Sequence, residues 1–238
     1  MEGGLNVSIQ FSLQNILEVS TASERFEVQG WWRMKWQDPN LKWDAKEWGL
    51  KQLTFSENQI WKPDITAYEA VEQVDTPALI IVLSSGLAHW SVPRVTKLGC
   101  SMNLTSFPFD SQHCGMTIGS WSHDREILQL QPQPVDRASF WLDREMQRAD
   151  YDSLAPPHSV LDLREFRAQP NSAEFALKSL RVVLRNHVYE GYSSAPFPII
   201  EVEFELERAT ITIFVALLVP IILVTFVGFC TLWMPGEK

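Results

Sequence analysis

From Thr210 to Trp233 the chain runs through 24 residues, TITIFVALLVPIILVTFVGFCTLW, without one charged side chain. At 1.5 Å per residue, a helix of that length spans about 36 Å, enough to cross a hydrocarbon core of about 30 Å with some tilt. A core helix of a soluble domain would keep a polar face, and this segment has none. A transmembrane helix is expected here, and its place at the end of the chain excludes a signal peptide. No leader precedes Leu5, so the chain reads as trimmed at its start, and it stops four residues after Met234.

The residues before this helix alternate. Leu5, Val7, Ile9, Phe11 and Leu13 are apolar while Asn6, Ser8, Gln10, Ser12 and Gln14 are polar, the period of a half-buried β-strand. After a polar turn, Ser20 to Glu24, a second strand sets Phe26, Val28, Trp32, Met34 and Trp36 on one face. Glu27, Gln29, Arg33 and Lys35 take the other, with Trp31 as an apolar intruder. Asp38-Pro39-Asn40 signals a turn into a loop containing Trp43 and Trp48. Apolar runs follow at Leu79–Leu83, Met116–Ile118, Ile127–Leu130 and Leu180–Leu184. Arg144 to Leu163 reads as an irregular loop, because Ala155-Pro156-Pro157 fits neither a helix nor a central strand. A last strand turns Ile200, Val202, Phe204 and Leu206 inward and Glu201, Glu203, Glu205 and Glu207 outward. The pattern predicts an all-β, immunoglobulin-like antiparallel β-sandwich over residues 1–208. The membrane helix takes 209–234, and 235–238 begin a linker. No flexible segment separates the last strand from the helix, so movement of the sandwich would reach the helix undamped.

A chain of 238 residues can bury a sizeable core in one large β domain or two small ones. Twenty basic against 29 acidic residues give a charge of −9, which argues against non-specific nucleic-acid binding and suits a surface that attracts cations. Two of the three cysteines, Cys100 and Cys114, bracket thirteen residues; a bond between them would stabilise the fold by about 3 kcal/mol and suit an oxidising compartment. The sequons Asn6-Val7-Ser8 and Asn103-Leu104-Thr105 fit secretion. Inside the loop, Phe107-Pro108-Phe109 is an apolar, proline-stiffened tip that is costly to leave in water, so it is expected to rest against a partner. There is no Cys/His metal cluster, phosphate-binding glycine loop or nucleophile elbow, so an enzyme is disfavoured and no catalytic residue, metal ligand or cofactor is assigned.

With these features in order, the chain resembles the Cys-loop pentameric ligand-gated ion channels, in their nicotinic and serotonin-receptor branch. The resemblance is carried by the thirteen-residue loop with Phe107-Pro108-Phe109-Asp110, by Trp36-Gln37-Asp38 before Leu41-Lys42-Trp43-Asp44, and by Ile60-Trp61-Lys62-Pro63-Asp64-Ile65. Gly119-Ser120-Trp121 and Pro220 inside the apolar segment complete it. It implies an extracellular ligand-binding domain with the first of four membrane helices, the pore-lining helix beginning past Lys238. It further implies a Cys100–Cys114 disulfide, a plasma-membrane location, and a homo- or heteropentamer whose partners are other subunits, membrane lipid and a small cationic amine.

In that family aromatic rings from two adjacent subunits cage the amine, each ring attracting a cation within about 6 Å for roughly 2 kcal/mol when desolvated. The matching positions are Tyr68, Trp121, Tyr189 and Phe197 on the principal face, with Tyr192 adding a ring at the hairpin tip. Trp31 belongs to the complementary face, where His89 and Ser91 would tune selectivity. Strand phase supports two of these independently, since Trp31 and Tyr189 both lie on polar faces. Trp36, Trp43 and Trp61 are assigned to the core. The hairpin Tyr189 to Phe197 resembles a ligand-closing flap. Gly191 and Tyr192 stand where nicotinic principal subunits carry adjacent cysteines, and Phe197 where a tyrosine is usual, so acetylcholine itself is not implied. For coupling, the resemblance implies that Phe107, Pro108 and Phe109 rest on the membrane domain, the Phe–Pro bond being cis, and that Arg208 pairs with an acid. The usual acidic position holds Ser20 or Thr21, leaving Glu24 or Asp110. The rival readings are a single-pass adhesion or scaffolding ectodomain and a soluble amine-binding relative. The acidic balance favours a cation pore.

Overall fold

The computed structural model describes residues 4–132, 159–162, 174–191, 193 and 195–232. Among these, twelve strands form two sheets. The seven-stranded sheet contains β1 (Leu5–Ser20), β2 (Arg25–Gln37), β3 (Gln52–Ser56), β5 (Ala70–Asp75), β6 (Leu79–Leu83), β7 (Leu87–Gly99) and β9 (Leu128–Pro132). The five-stranded sheet contains β4 (Ile65–Ala67), β8 (Ser111–Ser120), β10 (Ser159–Asp162), β11 (Phe175–His187) and β12 (Phe197–Arg208). Pairing is antiparallel throughout except for β1 with β9, where Leu5 to Ile9 run alongside Leu128 to Pro132 in parallel. A single-turn helix, α1 (Ala45–Trp48), lies in the loop before β3, capped by the Asp44 carboxylate.

Alternation places the core as the sequence predicts. Phe26, Trp32, Met34 and Trp36 of β2 meet Val202, Phe204 and Leu206 of β12 between the sheets, all essentially without solvent contact. Phe26 and Phe204 pack edge-on with ring centres 5.0 Å apart, and Phe11 bridges Trp32 and Phe204 at 6.0 and 6.2 Å. Arg94 brings a charge into this layer: it stacks over Trp32 at 4.3 Å while Asp75 receives its Nε and Nη2 at 2.6 and 2.7 Å, which makes the burial tolerable.

The alternation of β1 holds from Leu5 to Leu13; beyond it, bulges between Leu13 and Asn15 and between Ile16 and Glu18 keep Ile16 and Val19 inward and leave Leu17 exposed. Two sequence expectations change. Ser159–Asp162, expected in a loop, pairs with β11; the rest of that loop lies outside the described residues. Trp61 is 44% exposed and meets Trp36 edge-on at 5.9 Å, so it caps the core rather than entering it. Trp36 is buried as expected, and Trp43 packs partly buried against the core with its Nε1 donating to the Leu50 carbonyl.

Ala209 alone separates β12 from α2 (Thr210–Leu232), whose segment Ile213–Thr231 has a mean hydropathy of 2.9 and is long and apolar enough to cross a membrane.

Candidate functional site

Register brings the first two rings together. The pairing of β4 with the end of β8 puts Ile65 opposite Ser120, so Tyr68, just past β4, reaches Trp121, just past β8. Tyr68 Oη donates to the Ser120 carbonyl at 2.8 Å, and its ring meets Trp121 edge-on at 5.9 Å. Burial, with smaller contributions from Tyr189, Asp64 and Glu69, pushes the Tyr68 phenol up to about 12, so it stays a neutral donor. Trp121 is nevertheless 72% exposed, a large aromatic surface that no group among the described residues covers.

Asp64 fixes the turn that carries Trp121. Its carboxylate accepts from Ser120 Oγ at 2.6 Å and from the Ser122 amide at 2.9 Å, and His123 Nδ1 lies 3.0 Å away. Burial would raise the Asp64 pKa, but the hydrogen bonds from Ser120, His123 and Ser122 outweigh it and hold it below the ordinary carboxylate value. Asp64 is therefore a structural anion rather than a free charge facing a ligand.

The second ring pair comes from the β11–β12 hairpin. Tyr189 meets Phe197 edge-on at 5.5 Å and His187 at 4.4 Å. Pairing of Ile199 with Gly119 runs on toward Phe197 and Trp121, so the hairpin lies beside the Trp121 turn. Tyr189 is partly exposed, whereas Phe197 is only 4% exposed and backs Tyr189 rather than presenting a face of its own. Tyr192 lies outside the described residues.

Trp31, His89 and Ser91 lie on the outward face of the seven-stranded sheet, all half-buried. The β2–β7 register aligns Trp31 with Pro93, Arg33 with Ser91 and Lys35 with His89, so two cations share this face with Trp31. Arg33 donates to Ser12 Oγ at 3.0 Å and Gln10 Oε1 at 3.3 Å. Burial, then the charges of Lys35 and Arg33, lower the His89 pKa and favour its neutral form. These three residues belong to a different sheet from the ring pairs.

At the other end of the sandwich, Cys100 and Cys114 form a disulfide, and the Phe107–Pro108 bond is cis. Phe109 packs against Phe214 of α2 at 5.9 Å, and the Pro108 carbonyl accepts from Thr210 Oγ1 at 3.1 Å. Of the two acids left open for Arg208, Asp110 is the partner: Nε donates to Oδ1 at 2.7 Å and Nη2 to Oδ2 at 3.0 Å, both side chains almost wholly buried. Burial would raise the Asp110 pKa, but hydrogen bonds from Arg208 and Gln112 hold it below the ordinary value. Arg208 also stacks on Phe175 at 4.3 Å and Phe107 at 5.2 Å, with Glu174 3.6 Å away. Sequence reasoning missed Glu174, which register alone could have found, since Phe175 pairs with Arg208. It also missed the hydrogen bonds of His123, Asp124 and Ser193, which depend on contacts across loops.

Comparison with known proteins agrees with this fold. The family model described as neurotransmitter-gated ion-channel ligand binding domain matches residues 1–210. The acetylcholine receptor subunit alpha-type acr-16 of Caenorhabditis briggsae is 30% identical over 241 residues, covering 98% of this chain and 43% of that protein. Human neuronal acetylcholine receptor subunit alpha-9 is 26% identical over 243 residues, covering 98% and 44%. The chain thus spans less than half the length of these curated relatives. Among solved structures, the AChBP of Bulinus truncatus superposes with a TM-score of 0.66 at 21% identity, covering 87% of this chain and 90% of that one, a likeness of fold.

Proposed function

Because the chain belongs to the neurotransmitter-gated ion-channel ligand-binding family, we propose that it is the extracellular domain and first membrane helix of a pentameric channel subunit. In this reading residues 1–208 lie outside the plasma membrane, 209–234 cross it, and 235–238 lead toward a pore-lining helix. A small amine binds between subunits, and the pore it opens passes cations. One observation carries the proposal: two edge-on ring pairs, Tyr68–Trp121 and Tyr189–Phe197, stand side by side with most of the Trp121 ring left uncovered. A cation against that face gains from the ring quadrupoles, and a neighbouring subunit supplies the missing wall.

The same chain carries both halves of such a site, the ring pairs on one side and Trp31 with His89 and Ser91 on the other. A ring of identical copies therefore suffices, joined head to tail. Arg33 and Lys35 beside Trp31 disfavour positive charge on that side, so the cationic head of the ligand rests on the ring pairs. Binding shifts the gating equilibrium only by the ligand's differential affinity for the two states.

The test titrates tetramethylammonium against the chain and its Trp121→Ala variant, following tryptophan fluorescence. A loss of about 2 kcal/mol, roughly 30-fold in affinity, is expected. Equal affinity in both proteins removes Trp121 from the site.

A further inference from the structure

Beyond Trp121, the residues Asp124 and Arg125 hold the returning limb of the β11–β12 hairpin. Ser193 Oγ donates to Asp124 Oδ2 at 2.7 Å, and the Ala195 amide donates to Ser193 Oγ at 3.1 Å. Next to this, the Arg125 amide donates to the Pro196 carbonyl at 2.9 Å. Asp124 is itself immobilised. Its Oδ1 accepts the Glu126 amide at 3.0 Å, and its carbonyl accepts the amides of Ile127 and Leu128 at 3.2 and 2.9 Å. Leu128 opens β9, which pairs with β1 in the seven-stranded sheet. The hairpin belongs to the other sheet, so Asp124 stands rooted in one sheet and grips the other.

We propose that the Asp124–Ser193 hydrogen bond is a clasp that positions the hairpin, and Tyr189 with it, against the Trp121 turn before any ligand arrives. The hydroxyl–carboxylate bond is of the charge-assisted kind, stronger than a neutral pair, and its serine oxygen is used in both directions. A turn that must be flexible by composition, with Gly191 at φ +84°, is thereby tied at two successive points close to its tip. Rings set in place beforehand lose less freedom on binding, so the clasp raises affinity and slows release. The consequence for binding rests on the amine-site reading; the positioning of the hairpin does not. Asp124 and Ser193 are positioning residues, since the rings rather than they meet the ligand.

The experiment compares the whole 238-residue chain in lipid nanodiscs with its Ser193→Ala and Ser193→Thr variants. Amide hydrogen exchange is followed across the hairpin and, as a check on folding, across β7. In Ser193→Ala the hairpin amides should exchange about tenfold faster, the loss expected for one hydrogen bond to a charged group, with β7 unchanged. Ser193→Thr keeps a hydroxyl and should behave as the parent chain. Stopped-flow fluorescence with tetramethylammonium should show release about tenfold faster in the alanine variant. Hairpin exchange that is the same in Ser193→Ala as in the parent overturns the clasp, as does tighter tetramethylammonium binding by the variant. Faster exchange in a chain that binds no tetramethylammonium upholds the positioning and counts against the amine-site reading instead.

Discussion

Replacing Asp110 by asparagine changes two atoms' chemistry and almost nothing of shape, which makes it a sharp probe of the Arg208 site. Arg208 and Asp110 have side-chain exposures of 3% and 2%, so neither charge can fall back on solvent if the other is lost. Removing one partner of such a pair leaves a buried, uncompensated charge and costs about 3–5 kcal/mol. Two features pull the value toward the low end: Glu174 remains 3.6 Å from Arg208, and the guanidinium keeps its stacking on Phe175 and Phe107. About 3 kcal/mol in a domain of this size lowers the melting temperature by roughly 6–12 °C. Intrinsic fluorescence during heating of the detergent-solubilised chain would measure it. The pH dependence gives a second handle. The folded pKa of Asp110 is depressed, so its contribution is fully present above the unfolded carboxylate value near 3.8 and disappears as pH falls through the folded one. The gap between parent and Asp110→Asn should therefore be constant near neutrality and close only in strong acid. A variant that melts within about 2 °C of the parent at pH 7 would refute the reasoning, because it would mean the pair is not the buried support described.

Three further outcomes follow from the geometry. Gly119→Ala places a methyl 2.5 Å from Tyr68 Oη and 3.3 Å from Ile199 Cγ2, whereas Gly115 has nothing near it. Urea unfolding should show a loss of about 1–3 kcal/mol for Gly119→Ala, well beyond that of Gly115→Ala. Lys35→Gln removes a charge that lowers the His89 pKa, so the His89 titration seen by NMR should move up toward 6.5. Because that folded value is depressed, the parent loses stability as pH falls from the unfolded value toward the folded one, and the variant should lose less. Opening the loop by Cys100→Ser should cost about 3 kcal/mol in chemical denaturation, the closure entropy of a 14-residue separation.

Period-two alternation makes β1 as far as Leu13, β2, and β12 from Ile200 to Leu206 readable residue by residue, because each buries one face only and a misplaced side chain would be exposed at once. The apolar helix was equally plain. Trp31 can be picked out because it breaks the polar phase of β2, and Tyr189 because it continues the polar phase of Arg185 and His187 just past β11. What escaped were contacts with no local period. Glu174 meets Arg208 through the β11–β12 register, and Asp124 meets Ser193 across 69 residues. Between Glu24 and Asp110 the sequence could not choose, because Asp110 comes from the disulfide-closed loop, which no spacing rule ties to Arg208. Trp61 was misassigned because hydrophobicity says how much a ring gains by burial, not whether its end of the sandwich is covered.

Strand β12 joins Phe197 to Arg208 in twelve residues. At about 3.3 Å each it is a rod of about 40 Å, pinned on both sides by ladders to β11 and β8. Such a rod can tilt or twist but not lengthen, so its residue count is itself a functional quantity. One inserted residue would turn Glu203, Glu205 and Glu207 into the core, carry Arg208 past Asp110, and rotate α2 by about 100°. Length variation among members of this lineage should therefore collect in turns and stop at the two ends of β12.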